Sequence, residues 1–231
     1  MQSGEISYGG KPAQIYIVRD IPSRREIEGE LRFMVEKLRK AMGATLRAIN
    51  LTVEMRDPYT TGHHRRVADL ARAVADQLGI RKDQVDTIRM AASIHDIGRI
   101  AIPSDILSKP GHLNDFEFGL VKTHPRLGFD ILKQIDFPGP VALTVLQHHE
   151  RLDGSGYPQG LRGEEIILEA RVLGVADVVE TMVSHRPHRS ALDIEQALGE
   201  VSRNRGVLYD PEVVDACVAL FRGKSYSFKV S

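Results

Sequence analysis

The most constraining feature of the sequence is a histidine–aspartate pair, His95-Asp96, at the end of a largely apolar run. The run extends from Ile88 to Ile97 and is followed by Gly98. A carboxylate among apolar residues must be paired or must bind a metal, because burying an isolated charge costs too much free energy. Further imidazole and carboxylate side chains occur at wide intervals on both sides: His63, His124, His148, His149 and Asp177. They can meet only in a fold that brings several helices around one centre.

Helical periodicity covers most of the chain, so we predict an all-α fold, a helical bundle built around a metal centre. Asn114 and Glu117 have the spacing of a capping box at the start of one helix. Pro125, directly after His124, predicts a kink in the same helix. Glycines between residues 151 and 163 predict a shaped loop. The predicted helices cover residues 63–79, 82–96, 114 through His124, 141–150, 167–183, 193–203 and 212–222.

The first part of the chain differs in being rich in β-branched and aromatic residues. Residues 14–18 predict a β-strand, which either pairs within this chain or is the last strand of a longer domain. Residues 19–26 resemble the exit of a PAS sensor domain. We therefore expect residues 1–22 to be the remnant of an upstream sensor domain, residues 23–53 a signalling helix and residues 54–231 the catalytic domain.

The predicted signalling helix carries an apolar stripe, here called the α1 stripe. Its members recur at steps of three or four with one stutter: Ile27, Leu31, Met34, Leu38, Met42, Leu46, Ile49 and Val53. Such a stripe either packs on its own domain or joins two chains in a coiled coil. Charged residues on the other faces of its first part favour a homodimer through this helix. The helix would then carry the state of the sensor to the catalytic domain.

Charge and cysteine content narrow the class of protein. Lys+Arg and Asp+Glu both total 31, so no net charge favours a nucleic acid polymer or a membrane surface. The single cysteine, Cys217, lies on an apolar helical face, which excludes a disulfide within the chain and a cysteine-based zinc site. The sequence has no signal-peptide pattern and no apolar run long enough to cross a bilayer. We therefore expect a cytoplasmic protein.

The candidate ligands indicate the kind of metal centre. Imidazole and carboxylate groups without thiolate suit iron, manganese, zinc or nickel. Seven ligands exceed the need of one ion, so we predict a dinuclear centre in which Asp96 serves both ions. The two ligand sets that share it are His63, His95 and Asp177, and His124, His148 and His149. Two ions about 3.5–4 Å apart activate water and hold a phosphoryl group for in-line displacement, so phosphoester hydrolysis is the predicted reaction.

These residues belong to an ordered set of motifs by which the chain resembles the HD-GYP family, a branch of the HD metal-dependent phosphohydrolases. The resemblance covers roughly residues 50–222, and its length and order make it specific. The matching segments are Arg56-Asp57-Pro58-Tyr59-Thr60, Gly62-His63, His95-Asp96-Ile97-Gly98, Leu107-Ser108-Lys109-Pro110-Gly111, His124-Pro125, His148-His149-Glu150-Arg151-Leu152-Asp153-Gly154-Ser155-Gly156-Tyr157-Pro158, Val175-Ala176-Asp177 and Arg186-Pro187-His188-Arg189.

The resemblance implies an all-helical HD fold, a bi- or trinuclear centre of iron or manganese, and hydrolysis of cyclic di-GMP to linear pGpG or GMP. It supports the seven ligands above and implies that Asp96 and Arg99 act in catalysis. It also gives Tyr157, Arg186 and Arg189 a role in holding the dinucleotide. We expect Arg99 to bind substrate as well, because its position in the family is near the metal-bound phosphate. Arginine suits phosphate oxygens and guanine edges, and a tyrosine ring can stack on a base.

Three residues depart from the pattern of the family. Arg99 stands where the family usually has lysine, which keeps the charge but changes its shape. His188 stands where the arginine–proline motif usually has tyrosine. Tyr59 stands where members with three metals have glutamate, which favours two metals here. These departures leave two alternatives open, namely a catalytically weak nucleotide-binding signalling module and a hydrolase of another cyclic dinucleotide.

The remaining polar residues near the motifs have simpler interpretations. We expect His64, His112 and His185 at the surface, and His64 in particular because its neighbour His63 already takes the inward position. Glu150 either orients a histidine or is a charge at a helix end.

Overall fold

The structure, a computed structural model, describes residues 2–17, 22–56, 62–109, 111–184 and 191–228. It divides into two compact units, Met1–Thr45 and Leu46–Ser231. The domain limits expected from the sequence, after residues 22 and 53, remain predictions.

The first unit contains an antiparallel hairpin. Strand β1 (Gln2–Tyr8) pairs with strand β2 (Lys11–Ile17). Gly9 and Gly10 connect them with φ angles of 60° and 76°, which glycine adopts without steric cost and which tight hairpin turns require. The strand predicted from residue 14 onward therefore pairs within this chain. The sequence pattern did not reveal β1, and the PAS remnant remains a prediction.

Helix α1 (Pro22–Glu54) spans 33 residues, close to the range predicted for the signalling helix. The α1 stripe changes its surroundings along this helix. Its first four residues, from Ile27 to Leu38, are each 61–71% exposed. Leu46 and Ile49 instead pack against the core of the second unit, and Val53 is buried. The later part of the stripe therefore packs on its own domain, whereas the coiled coil of two chains stays a prediction for the first part.

The regular structure of the second unit, in the residues described, is helical and agrees with the predicted all-α HD fold. Its α-helices are α2 (His63–Gln77), α3 (Lys82–Ile94), α4 (Ser104–Leu107), α5 (Asp115–Val121), α6 (His124–Leu132), α7 (Val141–Gln147), α8 (Leu168–Val183), α9 (Ile194–Arg203) and α10 (Pro211–Arg222). A 3₁₀ helix, Ile97–Ala101, follows α3, and another, Gly163–Glu165, precedes α8. Within the described ranges, none of the helices has the length and apolar character needed to cross a bilayer.

Helix α8 lies at the centre of the second unit. It contacts α2, α3, α7, α9 and α10. Its buried apolar residues, which include Val172, Leu173, Val175 and Val179, face several directions around the helix. A helix that is apolar on nearly all sides is typical of a protein interior. Asp177 is therefore carried into the middle of the bundle.

Capping residues and a proline determine where the helices in front of the site begin and end. Asn114 and Glu117 exchange side-chain and backbone hydrogen bonds at the start of α5, which confirms the predicted capping box. The predicted kink at Pro125 is wrong, because α5 ends at Val121 and a separate helix follows. That helix, α6, begins at His124, and Pro125 lies in its first turn, where a missing amide donor costs nothing.

Candidate metal centre

The seven side chains predicted as metal ligands meet inside the second unit. Most of them lie where a helix begins or ends, so elements far apart in sequence reach one point. His63 and His124 begin α2 and α6. His95 and His148 directly follow α3 and α7. The convergent residues are His63, His95, Asp96, His124, His148, His149 and Asp177.

Three of these residues, His63, His95 and Asp177, form what we call the carboxylate triad. One nitrogen or oxygen atom of each lies within 4.8 Å of those of the other two. Asp177 Oδ1 is 3.3 Å from His63 Nε2 and 3.7 Å from His95 Nε2. A single carboxylate oxygen thus faces two imidazole nitrogens, an arrangement that suits one shared ion.

His124, His148 and His149 form the imidazole triad, whose ligand atoms also lie within 4.8 Å of one another. The Nε2 atoms of His124 and His148 are 3.4 Å apart. The rings of His148 and His149 have centroids 4.0 Å apart. His124 and His148 are fully buried, whereas His149 is partly exposed and lies on the solvent side of the triad.

Asp96 lies between the two triads and presents one oxygen to each. Its Oδ1 is 3.2 Å from Nε2 of His124, in the imidazole triad. Its Oδ2 is 3.5 Å from Nε2 of His95, in the carboxylate triad. A carboxylate in this position can serve two ions at once.

The backbone sets the orientation of three of the histidine rings. In His95, His124 and His148, Nδ1 donates a hydrogen bond to the carbonyl oxygen three residues earlier, over 2.6–2.8 Å. Because Nδ1 carries the proton, the neutral ring keeps a lone pair on Nε2, which points to the centre of the site. This is the usual way in which proteins fix the tautomer of a metal-binding histidine.

His63 is oriented by a side chain, Glu180, that sequence reasoning missed. Glu180 is completely buried and accepts a hydrogen bond from Nδ1 of His63. Its other oxygen accepts hydrogen bonds from Arg66 Nε at 2.6 Å and Ser184 Oγ at 2.7 Å. Glu180 follows Asp177 by three residues on α8, so both project from one face of that helix. This spacing is the signal that could have revealed it.

Burial controls the pKa values of the imidazole triad. It lowers the pKa of His124 to about 4 and that of His148 to about 3, since the charged ring is poorly solvated. The pKa of His149 is also held well below its ordinary value, by burial and by the two neighbouring rings. These three rings are therefore neutral at pH 7, as a metal ligand must be.

For the carboxylates of the site, the effect of nearby charges on the pKa is larger than that of burial. Burial alone would raise the pKa of Asp96, but the charges of Arg99 and His95 outweigh it and hold that pKa well below its ordinary value. The pKa of Asp177 is likewise low, because His63, whose Nε2 lies 3.3 Å from Asp177 Oδ1, and other nearby charge outweigh burial. Burial would lower the pKa of His63, but its close contact with Asp177 and its hydrogen bond to Glu180 raise it to about 9.

The residues fit a divalent metal, as their buried polar atoms show. His63 Nε2 and both carboxylate oxygens of Asp96 are buried and make no hydrogen bond. Leaving buried polar atoms without a hydrogen bond is costly, and native proteins rarely do so. The mixture of imidazole and carboxylate donors suits a divalent first-row metal.

Arg99 lies on the 3₁₀ helix after α3, directly beside Asp96. Its Nε is 2.8 Å from Asp96 Oδ1, and its side chain is only 13% exposed. The predicted positive charge is thus at the metal site.

Tyr157 closes the site next to the imidazole triad. Its ring is stacked on His149, with centroids 4.7 Å apart and planes 32° from parallel. The ammonium group of Lys122 is 5.5 Å from the centre of the Tyr157 ring and 4.6 Å from that of Phe118. Sequence reasoning did not select Lys122. Arg186, His188 and Arg189, like Tyr59, lie outside the described residues.

The expectation that His64 lies at the surface is wrong. The side chain is 2% exposed, and its Nδ1 and Nε2 lie 3.6 Å from Glu54 Oε1 and 3.7 Å from Asp96 Oδ2. Both α3 and α8 pack on α2, so its buried face is wide enough to include two consecutive residues. Burial would lower the pKa of His64, but the two carboxylates outweigh it and raise that pKa.

Glu150 follows neither of its two expected roles. It is 5% exposed and accepts hydrogen bonds from the backbone amides of Gln159 at 2.7 Å and Leu161 at 3.0 Å. The carboxylate therefore fixes the shape of the glycine-rich loop that carries Tyr157. His112 is exposed as expected, and His185 lies outside the described residues.

Gly98 allows two parts of the site to touch. A Cβ atom at this position would lie 2.0 Å from the carbonyl oxygen of His124 and 2.6 Å from the amide nitrogen of Gly128. Only glycine lets the 3₁₀ helix after Asp96 rest on the backbone of α6. The contact holds Asp96 and His124 at a fixed separation.

Comparison with known proteins places these features in a family. Residues 47–213 match the HD domain family. The chain is 42% identical over 201 residues to the cyclic di-GMP phosphodiesterase response regulator RpfG of Xanthomonas campestris pv. campestris, covering 86% of this chain and 52% of that protein. It is 37% identical over 165 residues to 3′3′-cGAMP-specific phosphodiesterase 3 of Vibrio cholerae, covering 71% and 36%.

Among solved structures, the fold is similar to that of Bd1817, an HDG"Y"P protein from Bdellovibrio bacteriovorus. The TM-score is 0.59 at 21% identity, and the match covers 71% of this chain and 53% of that chain. This likeness concerns the fold. The chain spans about half of the Xanthomonas relative and about a third of the Vibrio one.

Proposed function

Because the chain belongs to the HD domain family and, within it, to the HD-GYP branch, we propose that it is a metal-dependent phosphodiesterase that hydrolyses cyclic di-GMP to pGpG, GMP or both. The observation that carries the proposal is the pair of ligand triads on either side of Asp96. The 42% identity to a protein named cyclic di-GMP phosphodiesterase supports the substrate.

The proposed centre is dinuclear and holds iron or manganese. The carboxylate triad would hold one ion, the imidazole triad the other, and Asp96 would contribute to both. When bound, the ions supply Lewis-acid activation of water and neutralise charge on the phosphate. The low pKa values of Asp96 and Asp177 support this role, because both carboxylates are ionised at neutral pH.

Arg99 has two parts in the proposed reaction. Its charge keeps Asp96 ionised, which the contact between Arg99 Nε and Asp96 Oδ1 supports. Its guanidinium group also adds a positive charge beside the position of a bound phosphodiester, where charge develops in the transition state. Tyr157, whose ring lies against His149 beside the imidazole triad, would border the substrate. We propose Arg186 and Arg189 as further substrate contacts.

The test is chromatographic detection of products from cyclic di-GMP, with protein loaded anaerobically with Fe(II) or Mn(II). We expect pGpG or GMP from the native protein and none from Asp96→Ala. The matched control is Asp136→Ala, which removes an exposed aspartate from the segment between α6 and α7 and should leave the rate unchanged. Binding of metal and nucleotide without any product would contradict the proposal.

A different cyclic dinucleotide is the second candidate substrate. The 37% identity to a 3′3′-cGAMP-specific phosphodiesterase favours it. The values of kcat/KM for cyclic di-GMP and 3′3′-cGAMP, measured on the same preparation, separate the two. If kcat/KM for cyclic di-GMP is far below that for 3′3′-cGAMP, the mixed dinucleotide is the better candidate substrate.

A catalytically weak nucleotide-binding module is a further alternative, since Arg99 stands at a position where the family usually has lysine. The substitution Arg99→Lys tests it. A large rise in rate would show that arginine impairs turnover, whereas an unchanged rate would support Arg99 as an effective catalytic residue.

We also propose that α1 joins two copies of the chain and connects them to an upstream sensor domain. The exposed first part of the α1 stripe, from Ile27 to Leu38, supports the dimer, because four large apolar side chains at coiled-coil spacing are left facing solvent. Light scattering, which measures molar mass, tests it. We expect the native protein to have the mass of a dimer and Leu31→Glu to have the mass of a monomer. A cytoplasmic location completes the proposal, since the single buried thiol, Cys217, needs no oxidising compartment.

A further inference from the structure

The Asp96 carboxylate has two nitrogen neighbours on each oxygen. Oδ1 faces His124 Nε2 and Arg99 Nε, at 3.2 and 2.8 Å. Oδ2 faces His95 Nε2 and His64 Nε2, at 3.5 and 3.7 Å. On each side, one neighbour belongs to a triad and one does not. Arg99 and His64 therefore occupy corresponding positions on opposite sides of the carboxylate.

His64 lies between two carboxylates and meets them with opposite ring nitrogens. Nε2 faces Asp96 Oδ2, and Nδ1 faces Glu54 Oε1 at 3.6 Å. Since the two nitrogens of an imidazole point in different directions, Glu54 and Asp96 cannot share an ion with this ring. The geometry instead suits a spacer that transmits the position of one carboxylate to the other. At 2% exposure, the ring has no freedom to leave this position without disturbing the packing of α2.

Glu54 fixes the other side of the spacer, and it is the last residue of α1. Its Oε1 accepts a hydrogen bond from the backbone amide of Gly62 at 3.1 Å, directly before α2. Its side chain is only 15% exposed. Glu54, His64 and Asp96 therefore lie in a row from the end of α1, with contacts of 3.6 and 3.7 Å that are electrostatic rather than hydrogen bonds.

A second connection runs from the same end of α1 to the segment after Asp96. Arg56 donates from Nη1 to the carbonyl oxygen of Ile100 at 2.5 Å and from Nη2 to that of Ile102 at 3.4 Å. These carbonyls lie at the end of the 3₁₀ helix that carries Arg99. At the end of α1, Glu54 thus contacts His64, and Arg56 contacts the segment that carries Arg99. His64 and Arg99 are the two neighbours of Asp96 that belong to neither triad.

We propose that His64, held by Glu54, is a positioning residue for Asp96, so that the last turn of α1 sets how this carboxylate faces the two triads. Because each Asp96 oxygen faces a different triad, a small rotation of this carboxylate would bring it closer to one triad and move it away from the other. Movement of α1 would then change metal binding and turnover without any contact between α1 and substrate. The inference rests on the proposed metal centre and adds a route for its regulation.

Metal affinity, measured by manganese EPR titration, tests the role without relying on catalysis. We expect Glu54→Gln and His64→Ala each to weaken binding of at least one ion by about 10–100-fold. His64→Gln, whose amide can reach the Nε2 position, should restore part of the loss. The double variant Glu54→Gln/His64→Ala should be no weaker than His64→Ala alone, because Glu54 acts through His64.

The matched control is Glu36→Gln, which removes an exposed carboxylate from the middle of the same helix and should change nothing. Additive losses in the double variant, or native affinity in both single variants, would overturn the inference. Circular dichroism establishes that each variant is folded, and the isosteric Glu54→Gln preserves the test if His64→Ala does not fold. If native protein binds two ions but leaves cyclic di-GMP intact, the proposed function fails while the affinity test of His64 still stands.

Discussion

The carboxylate triad and the imidazole triad lie on opposite sides of Asp96, yet they are held in different ways. In the imidazole triad, backbone carbonyls at helix ends orient His124 and His148, and burial keeps both rings neutral. In the carboxylate triad, His63 is oriented by the buried side chain of Glu180 and shares a proton with charged partners. The imidazole triad is thus fixed mainly by the main chain. In the carboxylate triad, a backbone carbonyl orients His95, but His63 depends on a network of charges.

This difference teaches which kind of change each triad tolerates. A backbone-held ring depends on the local path of the chain and is insensitive to substitutions that keep that path. A charge-held ring depends on every member of its network, since removing one partner leaves another buried charge without compensation. The two triads should therefore respond to different substitutions, although Asp96 links them.

Removing the carboxylate common to both triads should have the largest effect. In Asp96→Asn one charge is lost from between the triads, so we expect hydrolysis to fall to background and metal content, measured by mass spectrometry, to fall by at least one ion per chain. Full metal content in this variant would show that the triads bind independently of Asp96.

A substitution at Gly98 should act through the backbone and so affect the imidazole triad selectively. In Gly98→Ala the new methyl group overlaps the carbonyl of His124, and we expect a loss of about 1–3 kcal/mol in the free energy of unfolding. Denaturant unfolding measures this loss, and metal titration should show weaker binding at one of two sites.

The control for that experiment is Gly119→Ala, an exposed glycine of α5 with no atom within 4 Å of the new methyl group. It should stabilise the protein slightly, by about 0.5–1 kcal/mol, because alanine favours helix. Similar losses in both variants would mean that the contact at His124 is unimportant.

Glu180→Gln should have a smaller effect than Gly98→Ala, and it should affect the carboxylate triad instead of the imidazole triad. The amide keeps the shape but not the charge that orients His63, so we expect about 10–100-fold weaker binding at the carboxylate triad and native binding at the other. Calorimetric titration with Mn(II) would resolve the two events. Glu195→Gln, an exposed residue of α9, serves as the control. Equal weakening of both events would mean that the triads are not separable.

Proton release should give the smallest signal. In metal-free protein His63 stays protonated up to a pKa of about 9, whereas His124 and His148, with pKa values of about 4 and 3, are already neutral at pH 6. Metal must displace the proton of His63, so affinity at the carboxylate triad should rise about tenfold per pH unit between 6 and 8. Affinity at the imidazole triad should stay flat. Calorimetry in buffers of different ionisation enthalpy counts the protons released when metal binds at each triad. Equal release at the two triads would contradict the high pKa of His63.

Much of the helical framework was predictable because its signals are local. The capping box at Asn114 and the apolar face of α2 follow from spacing along a single helix. The break before His124 was misjudged because a proline after a histidine is compatible with a kink or with a new helix. The close contact of Gly98 with the start of α6 is likewise invisible in a linear sequence.

The predicted ligands came from motifs, but the groups that orient them depend on tertiary structure. Glu180 gains its role only because α2 and α8 pack face to face, which brings it into contact with His63 across 117 positions of sequence. His64 gains its role because its buried ring lies beside Glu54, at the end of α1, and beside Asp96, after α3. The prediction for His64 was wrong because we assumed that α2 buries a single narrow face. In the structure both α3 and α8 pack on α2, so its buried face is wider. Lys122 reaches Tyr157 for a similar reason, through the loop that Glu150 holds.

The hydrogen bonds that Glu150 accepts from this loop determine which positions of the loop can vary in sequence. The carboxylate binds the amide groups of Gln159 and Leu161 rather than their side chains. Residues at these two positions can therefore be exchanged for others with little change in the path of the loop. A library that randomises both positions in the presence of Glu150 would therefore sample new surfaces on the loop that carries Tyr157, while the path of that loop stays the same.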